Sequence, residues 1–180
     1  MSTIKIYNLR IVPKNPVFND AINYKNKVKN VFGKQPLSCS IPHITIGEFL
    51  MDMSYENILK KAFNQLSQIP KFKLKANNLG VFNNSHTLYI NIEKSSKFHE
   101  LQKFLKIIWI RDLHRKLNSL KLSSTPHITI SKFKNRTMML ESLELLKTSN
   151  YQKEFYIDNL VLTSRYNYET WNWEFKIPLK

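Results

Sequence analysis

Apolar and polar residues alternate along IKIYNLRIV, residues 4–12, which predicts a strand that Pro13 and Pro16 bring to an end. From Val17 to Phe32 the apolar positions Phe18, Ile22, Val28 and Val31 are set among polar ones as in a helix, and Gly33 stands where a C-terminal cap glycine belongs. HITIGEF, residues 43–49, alternates again and is rich in β-branched residues, so a second strand follows. Ser54 is placed to cap a helix carrying Ile58, Leu59, Phe63 and Leu66, closed by Pro70. FKLKANNLGVF and HTLYINIE predict two strands joined by Asn83, Asn84 and Ser85, residues with hairpin chemistry. A long helix starting at Ser95 or Ser96 carries Phe98, Leu101, Phe104, Leu105, Ile108 and Leu113. After KLSSTP comes another strand, then a helix from about Thr137 to Thr148, one strand along EFYIDNLVLTS, a turn over residues 167–170 and a last strand, WNWEFKIPL. The order β-α-β-α-β-β-α-β-α-β-β reads as a duplicated α+β unit whose two lobes face one another. No linker or low-complexity tract divides residues 1–180, which read as one domain.

Two of these strands share a motif. SIPHITIGEFL, from Ser40, and STPHITISKFK, from Ser124, agree at seven of eleven positions. Successive side chains of a strand point to opposite faces, so His43 lies beside Thr45 and His127 beside Thr129, while Ile44, Ile46, Ile128 and Ile130 anchor the other face. A single histidine in a strand is ordinarily a half-buried side chain with a local hydrogen bond; two in matched settings point to a pair. Related by an approximate two-fold axis, the strands offer two imidazoles and two hydroxyls to one cleft. Phosphoryl transfer from a ribose needs one group to take a proton from the attacking oxygen and another to protonate the leaving oxygen. With hydrogen-bond reach of roughly 2.6–3.2 Å on each side, ring nitrogens roughly 5–7 Å apart across a phosphorus do both. An unperturbed pKa near about 6.5 allows one ring to be neutral and the other charged. The threonine hydroxyls can donate to the non-bridging oxygens, and no metal is required. Which ring is acid and which is base stays open.

Composition adds a partner class. A net charge of +15, from 28 basic and 13 acidic residues, favours a polyanion, although the preference for Lys over Arg (Arg10, Arg111, Arg115, Arg136 and Arg165) also follows from gene base composition. Eleven Phe, eight Tyr and three Trp indicate a folded globule. MSTIKIYNLRIVP lacks an apolar stretch of signal-peptide length and no run of about 20 apolar residues occurs, so a soluble, cytoplasmic protein is expected. Cys39 is alone, which excludes a disulfide or thiolate site within the chain, and is expected to be a buried thiol. His86, His99 and His114 are expected at the surface. Trp171 and Trp173 alternate with polar residues and read as one core-facing pair. Phe82, Tyr151, Tyr166 and Tyr168, near loops, are candidates for stacking on a nucleobase, and Arg165 for a second phosphate.

The doubled PHITI in a chain of this size and element order resembles the 2H phosphoesterases, the superfamily that includes 2′-5′ RNA ligase-like proteins and cyclic phosphodiesterases. The resemblance implies a bilobal α+β fold, with antiparallel sheets facing a basic central cleft and helices outside. It also implies metal- and cofactor-independent action on 2′,3′-cyclic phosphates or bonds involving a 2′ hydroxyl. His43 and His127 match the family's catalytic histidines, Thr45 and Thr129 its hydroxyl positions. Lys132 stands where members often carry a basic residue, and Glu48 at the matching place of the first motif has to turn away or pair with a cation. The expectation is a monomeric phosphodiesterase of RNA or nucleotides. The rivals are a module that binds RNA ends or cyclic nucleotides without turnover, and a generic lysine-rich polyanion surface.

Overall fold

The computed structural model describes residues 3–114, 119–147 and 150–180. Its strands are β1 (Ile4–Ile11), β2 (Ile44–Asp52), β3 (Phe72–Phe82), β4 (Thr87–Ile92), the two-residue β5 (Lys121–Leu122), β6 (His127–Lys132), β7 (Gln152–Ile157), β8 (Asn159–Arg165) and β9 (Trp173–Pro178). Its helices are α1 (Val17–Phe32), α2 (Glu56–Phe63), α3 (Ser96–Arg111) and α4 (Arg136–Leu146). The predicted end of α4 at Thr148 lies outside the described residues, as does Arg115. The strands form one curled antiparallel sheet in the order β7-β3-β4-β6-β2-β1-β8-β9, with β5 against β2.

This mixed helix and antiparallel-sheet architecture is the predicted one, with two informative departures. EFYIDNLVLTS is two strands at opposite ends of the sheet: β7 pairs with β3, and β8 pairs with β1. Alternation runs through both, but Asp158 between them bonds elsewhere. Its carboxylate pairs with Lys14, and its carbonyl accepts from the Leu179 amide at 2.8 Å. The second departure is the cap of the first turn before α2. Asp52, not Ser54, supplies it, accepting the Ser54 N–H at 2.9 Å.

Lobes and chain halves do not coincide. Strands β1, β2, β8 and β9 form one lobe over α2 and α3, with Phe49 stacked on Tyr7 at 5.4 Å and meeting Trp109 of α3 at 4.7 Å. Strands β3, β4, β6 and β7 form the other, covered by α1 and α4. Helix α1, from the first half of the chain, therefore serves the second lobe. It turns Val17, Ala21, Tyr24, Lys25 and Val28 inward, while Val31 stays 59% exposed. Gly33 ends it with φ 73° and ψ −175°, not the left-handed helical conformation of the usual cap but an extended one that only glycine adopts readily.

Candidate active site

The lobes meet where β2 pairs with β6 through Ile44 and Ile128. This antiparallel register sets His43 level with Thr129 and Thr45 level with His127, so the two histidines are diagonal neighbours. Such positions have backbone separations of roughly 7–8 Å. All four side chains share the face turned away from the helices, since Ile44, Ile46, Ile128 and Ile130 are fully buried on the other.

Each ring is held the same way. Nδ1–H of His43 donates to the Ile41 carbonyl and Nδ1–H of His127 to the Thr125 carbonyl, both at 2.8 Å. A carbonyl only accepts, so Nδ1 carries the proton in both and Nε2 is the atom left to exchange one. Thr45 Oγ1 accepts from Asn8 Nδ2 at 3.3 Å, which leaves its O–H to donate. The His127 ring is walled by Phe82 at 4.9 Å and Tyr89 at 5.2 Å, themselves stacked at 4.2 Å. The Tyr89 ring lies over Gly80, where a Cβ would sit 2.6 Å from it, so β3 needs glycine at this crossing.

Both motifs contain a bulge after the threonine. Leu9 and Arg10 pair with Gly47 and Thr45, skipping Ile46; Leu88 and Tyr89 pair with Ser131 and Thr129, skipping Ile130. Strict alternation would put Glu48 and Lys132 on the helix side. The extra residue instead brings each back to the face of the histidines, with Glu48 beside Asn8 and Lys132 beside Thr87. Glu48 Oε2 accepts from Asn8 Nδ2 at 3.5 Å and faces Lys121 of β5 in register, so its cationic neighbour comes from the strand leading to the second motif.

The carbonyls freed at the two bulges are taken by helix side chains in a reciprocal pattern. Lys25 Nζ of α1 donates to Ile130 O (3.1 Å), and to Leu37 O (2.8 Å) and Ser40 Oγ (3.2 Å) ahead of the first motif. Gln102 Nε2 of α3 donates to Ile46 O (3.2 Å) and to Ser123 O (2.8 Å) ahead of the second. Each helix thus ties the bulge of one motif to the approach of the other. Burial pulls the Lys25 ammonium down to about 8.

Electrostatics separates the two rings. Burial pushes the His43 imidazole down to about 4, against its hydrogen bond to Ile41, and the charges of Arg10, Lys25 and His127 add to the lowering. His127 is also lowered, again by burial and against its bond to Thr125. His43 is further flanked by a cavity of about 600 Å³ whose lining includes Arg10, Thr163, Arg165 and Trp171.

The sequence model of the 2′-5′ RNA ligase superfamily matches residues 18–169. The chain belongs to that superfamily. As a 2′-5′ RNA ligase superfamily chain it shares its fold with solved structures at low sequence identity. Escherichia coli LigT with 3′-AMP superposes with a TM-score of 0.63 at 13% identity, covering 98% of this chain and 95% of that one. LigT with NADP+ gives 0.64 at 14% identity over 98% and 96%. The Thermus thermophilus protein TT0787 gives 0.64 at 13% identity over 97% and 99%. No curated protein sequence matches the chain.

Within this superfamily member the other predicted site residues separate into two groups. Phe82 lies against His127, Lys132 on the same face at the end of β6, and Arg165 in the cavity beside His43. Tyr151 does not reach the cleft. It is buried in the core, edge-on to Tyr24 at 5.8 Å, with its hydroxyl on Asp20 at 3.0 Å. Tyr166 turns the opposite way from Arg165, under Lys5 and against Met53. Tyr168 is 94% exposed.

The two tryptophans also part. Both border the cavity, but Trp173 opens β9 and packs edge-on to Tyr7, whereas Trp171 precedes β9, escapes the alternation and lies against Arg10 and Arg165. Cys39 is exposed at that cavity rather than buried, while His99 and His114 are exposed as expected and His86 half-buried. Sequence reading missed Arg10, Asn8 and Tyr89. The first two had a signal, being polar residues alternating with the apolar face of β1. Among the described residues no cluster of three or more His, Cys, Asp or Glu is set to hold a metal, and no helix is long and apolar enough to cross a membrane.

Proposed function

We propose that the protein is a phosphodiesterase of RNA-derived or nucleotide substrates, acting on 2′,3′-cyclic phosphates or 2′-5′ linkages by acid–base catalysis between His43 and His127. The observation that carries this reading is the Ile44–Ile128 pairing, which puts two Nδ1-anchored imidazoles diagonally on one face, each with a threonine level with it. His43, with its basicity lowered to about 4, is neutral at neutral pH and takes the part of base. For a cyclic phosphate, its Nε2 accepts a proton as a water oxygen bonds to phosphorus. The bond to one ribose oxygen breaks, and Nε2–H of His127 delivers the proton that oxygen needs. The hydroxyls of Thr45 and Thr129 donate to the non-bridging oxygens as their charge grows. A 2′-5′ linkage is cleaved by the same exchange, with water or a neighbouring ribose hydroxyl as nucleophile. Both proton transfers fall to the two rings, so the scheme needs no metal. Nucleotides held by LigT in its solved structures accord with a cleft of this kind.

His43→Ala and His127→Ala are each expected to lower turnover by about 10² to 10⁴. The assay is chromatography of a 2′,3′-cyclic nucleotide and a 2′-5′ dinucleotide after incubation with EDTA present. Full activity in either variant overturns the mechanism, and recovery of intact ligand from the wild-type protein points to a binding module.

A further inference from the structure

The cavity beside His43 contains a feature the two-histidine scheme does not use. Arg10 stands near the C-terminal end of β1, level with Thr45 of β2, and is 4% exposed. Its Nε is buried without a hydrogen-bond partner. Its guanidinium carbon lies 5.5 Å from the centre of the Trp171 ring, and that of Arg165 lies 4.8 Å from the same ring. Arg165 spends Nη1 on the Glu169 carbonyl at 3.0 Å, and its Nε is likewise buried and unpartnered. Two guanidiniums therefore share one indole, each with a buried donor to spare.

Burying such donors is costly unless something accepts from them. The carboxylates lining the cavity, Glu169 and Glu174, are both exposed, and Glu174 acts on Arg10 through its field. The guanidinium fork fits two oxygens of a phosphate, and the indole face holds the fork in place. The position matters as much as the chemistry. Adjacent strands lie about 4.8 Å apart, so Arg10 is one strand removed from the reacting phosphorus between His43 and His127, on the side away from His127.

We infer that Arg10, Arg165 and Trp171 form a second anion subsite that binds a further phosphate of the substrate, next to the one being attacked. The preferred substrates are then nucleotides carrying at least two phosphoryl groups, such as phosphorylated cyclic nucleotides or short oligonucleotides, over a bare nucleoside 2′,3′-cyclic phosphate. This inference rests on the proposed phosphodiesterase reading for the place of the first phosphate.

The test is a ratio. For the full-length protein, kcat/KM is measured on adenosine 2′,3′-cyclic phosphate with and without a 5′-phosphate, and on a 2′-5′ diadenylate with and without a phosphate at its 5′ or 3′ end. Charged hydrogen bonds of this kind lead to an expected preference for at least one phosphorylated form of about ten- to a hundredfold. The preference falls to within about threefold in Arg10→Gln and in Arg165→Gln, and Arg10→Lys restores part of it. A general loss of activity from altered His43 basicity cancels in the ratio, and Arg165, half-buried at a strand end, covers the case in which Arg10→Gln does not fold.

A wild-type ratio near one for every phosphate position overturns the subsite, as does a ratio that both variants leave intact. If no substrate is turned over, the phosphodiesterase reading has failed and the subsite is tested by calorimetry. Adenosine 3′,5′-bisphosphate then has to bind more tightly than AMP, by a margin that Arg10→Gln removes. Equal affinities overturn the subsite too.

Discussion

At the scale of single residues, the two rings differ in basicity despite identical anchoring. His43 is drawn down to about 4, with Arg10 and Lys25 adding to the effect of burial, while His127 is lowered with only burial and its own backbone bond acting. Both rings are lowered, so a neutral His43 beside a protonated His127 is favoured above about pH 4 and below the ordinary imidazole value of about 6.5. The profile of kcat/KM is therefore expected to be bell-shaped with its maximum below pH 6.5, its acid limb belonging to His43; a maximum above pH 7 contradicts the assignment of base and acid. The same depression acts on stability. Between about pH 4 and 6.5 the unfolded chain holds the proton that folded His43 refuses, so stability falls as pH drops through that window. The histidines and threonines were legible because they recur in matched frames. Arg10 gave only the weaker signal of alternation along β1, and a lone arginine there reads as solvated until its neighbours bury it.

At the scale of elements, the bulges carry most of what the sequence concealed. Alternation correctly placed His43 with Thr45 and His127 with Thr129, but it cannot register an extra residue, so the return of Glu48 and Lys132 to the cleft face became visible only in the pairing. Lys25 is a case of a correct helix with a misjudged face. Its charge argues for solvent, yet it sits at 2% exposure because three oxygens from two motifs converge on it. Replacing it with methionine leaves those acceptors empty, at about 1–3 kcal/mol for each buried group that water does not reach. Lys25→Met is expected to lower the melting temperature and to reduce kcat about tenfold by loosening the approach to His43. The ammonium, lowered to about 8, adds a signature: between pH 8 and its ordinary value the unfolded chain binds the extra proton, so wild-type stability rises with pH. The gap in melting temperature between wild type and Lys25→Met therefore widens from pH 7 to pH 9.5. A constant gap shows that the fold does not lower the basicity of Lys25.

At the scale of the whole molecule, duplication was readable in the repeated motif and element order, but the assembly of the lobes was not. The strand read along EFYIDNLVLTS divides at Asp158 and sends its halves to different lobes, β7 to one edge and β8 between β1 and β9, so β8 and β9 complete the lobe begun by β1. Hydrophobic pattern says which face of a strand is buried and is silent about which neighbour it pairs with. Since α1 crosses in the other direction, neither half of the chain contains a whole lobe. Thermal unfolding is expected as one transition, with tryptophan fluorescence, which reports the lobe holding Trp109, Trp171 and Trp173, coinciding with far-ultraviolet circular dichroism over both lobes. Separated midpoints contradict this interlacing.

Duplicated genes usually leave one copy at liberty to decay into scaffold while its twin keeps the work. The crossed ties from Lys25 and Gln102 remove that liberty, because slack in either copy is passed to the other's doorway. Whatever drift this protein tolerates has to be taken by both copies together.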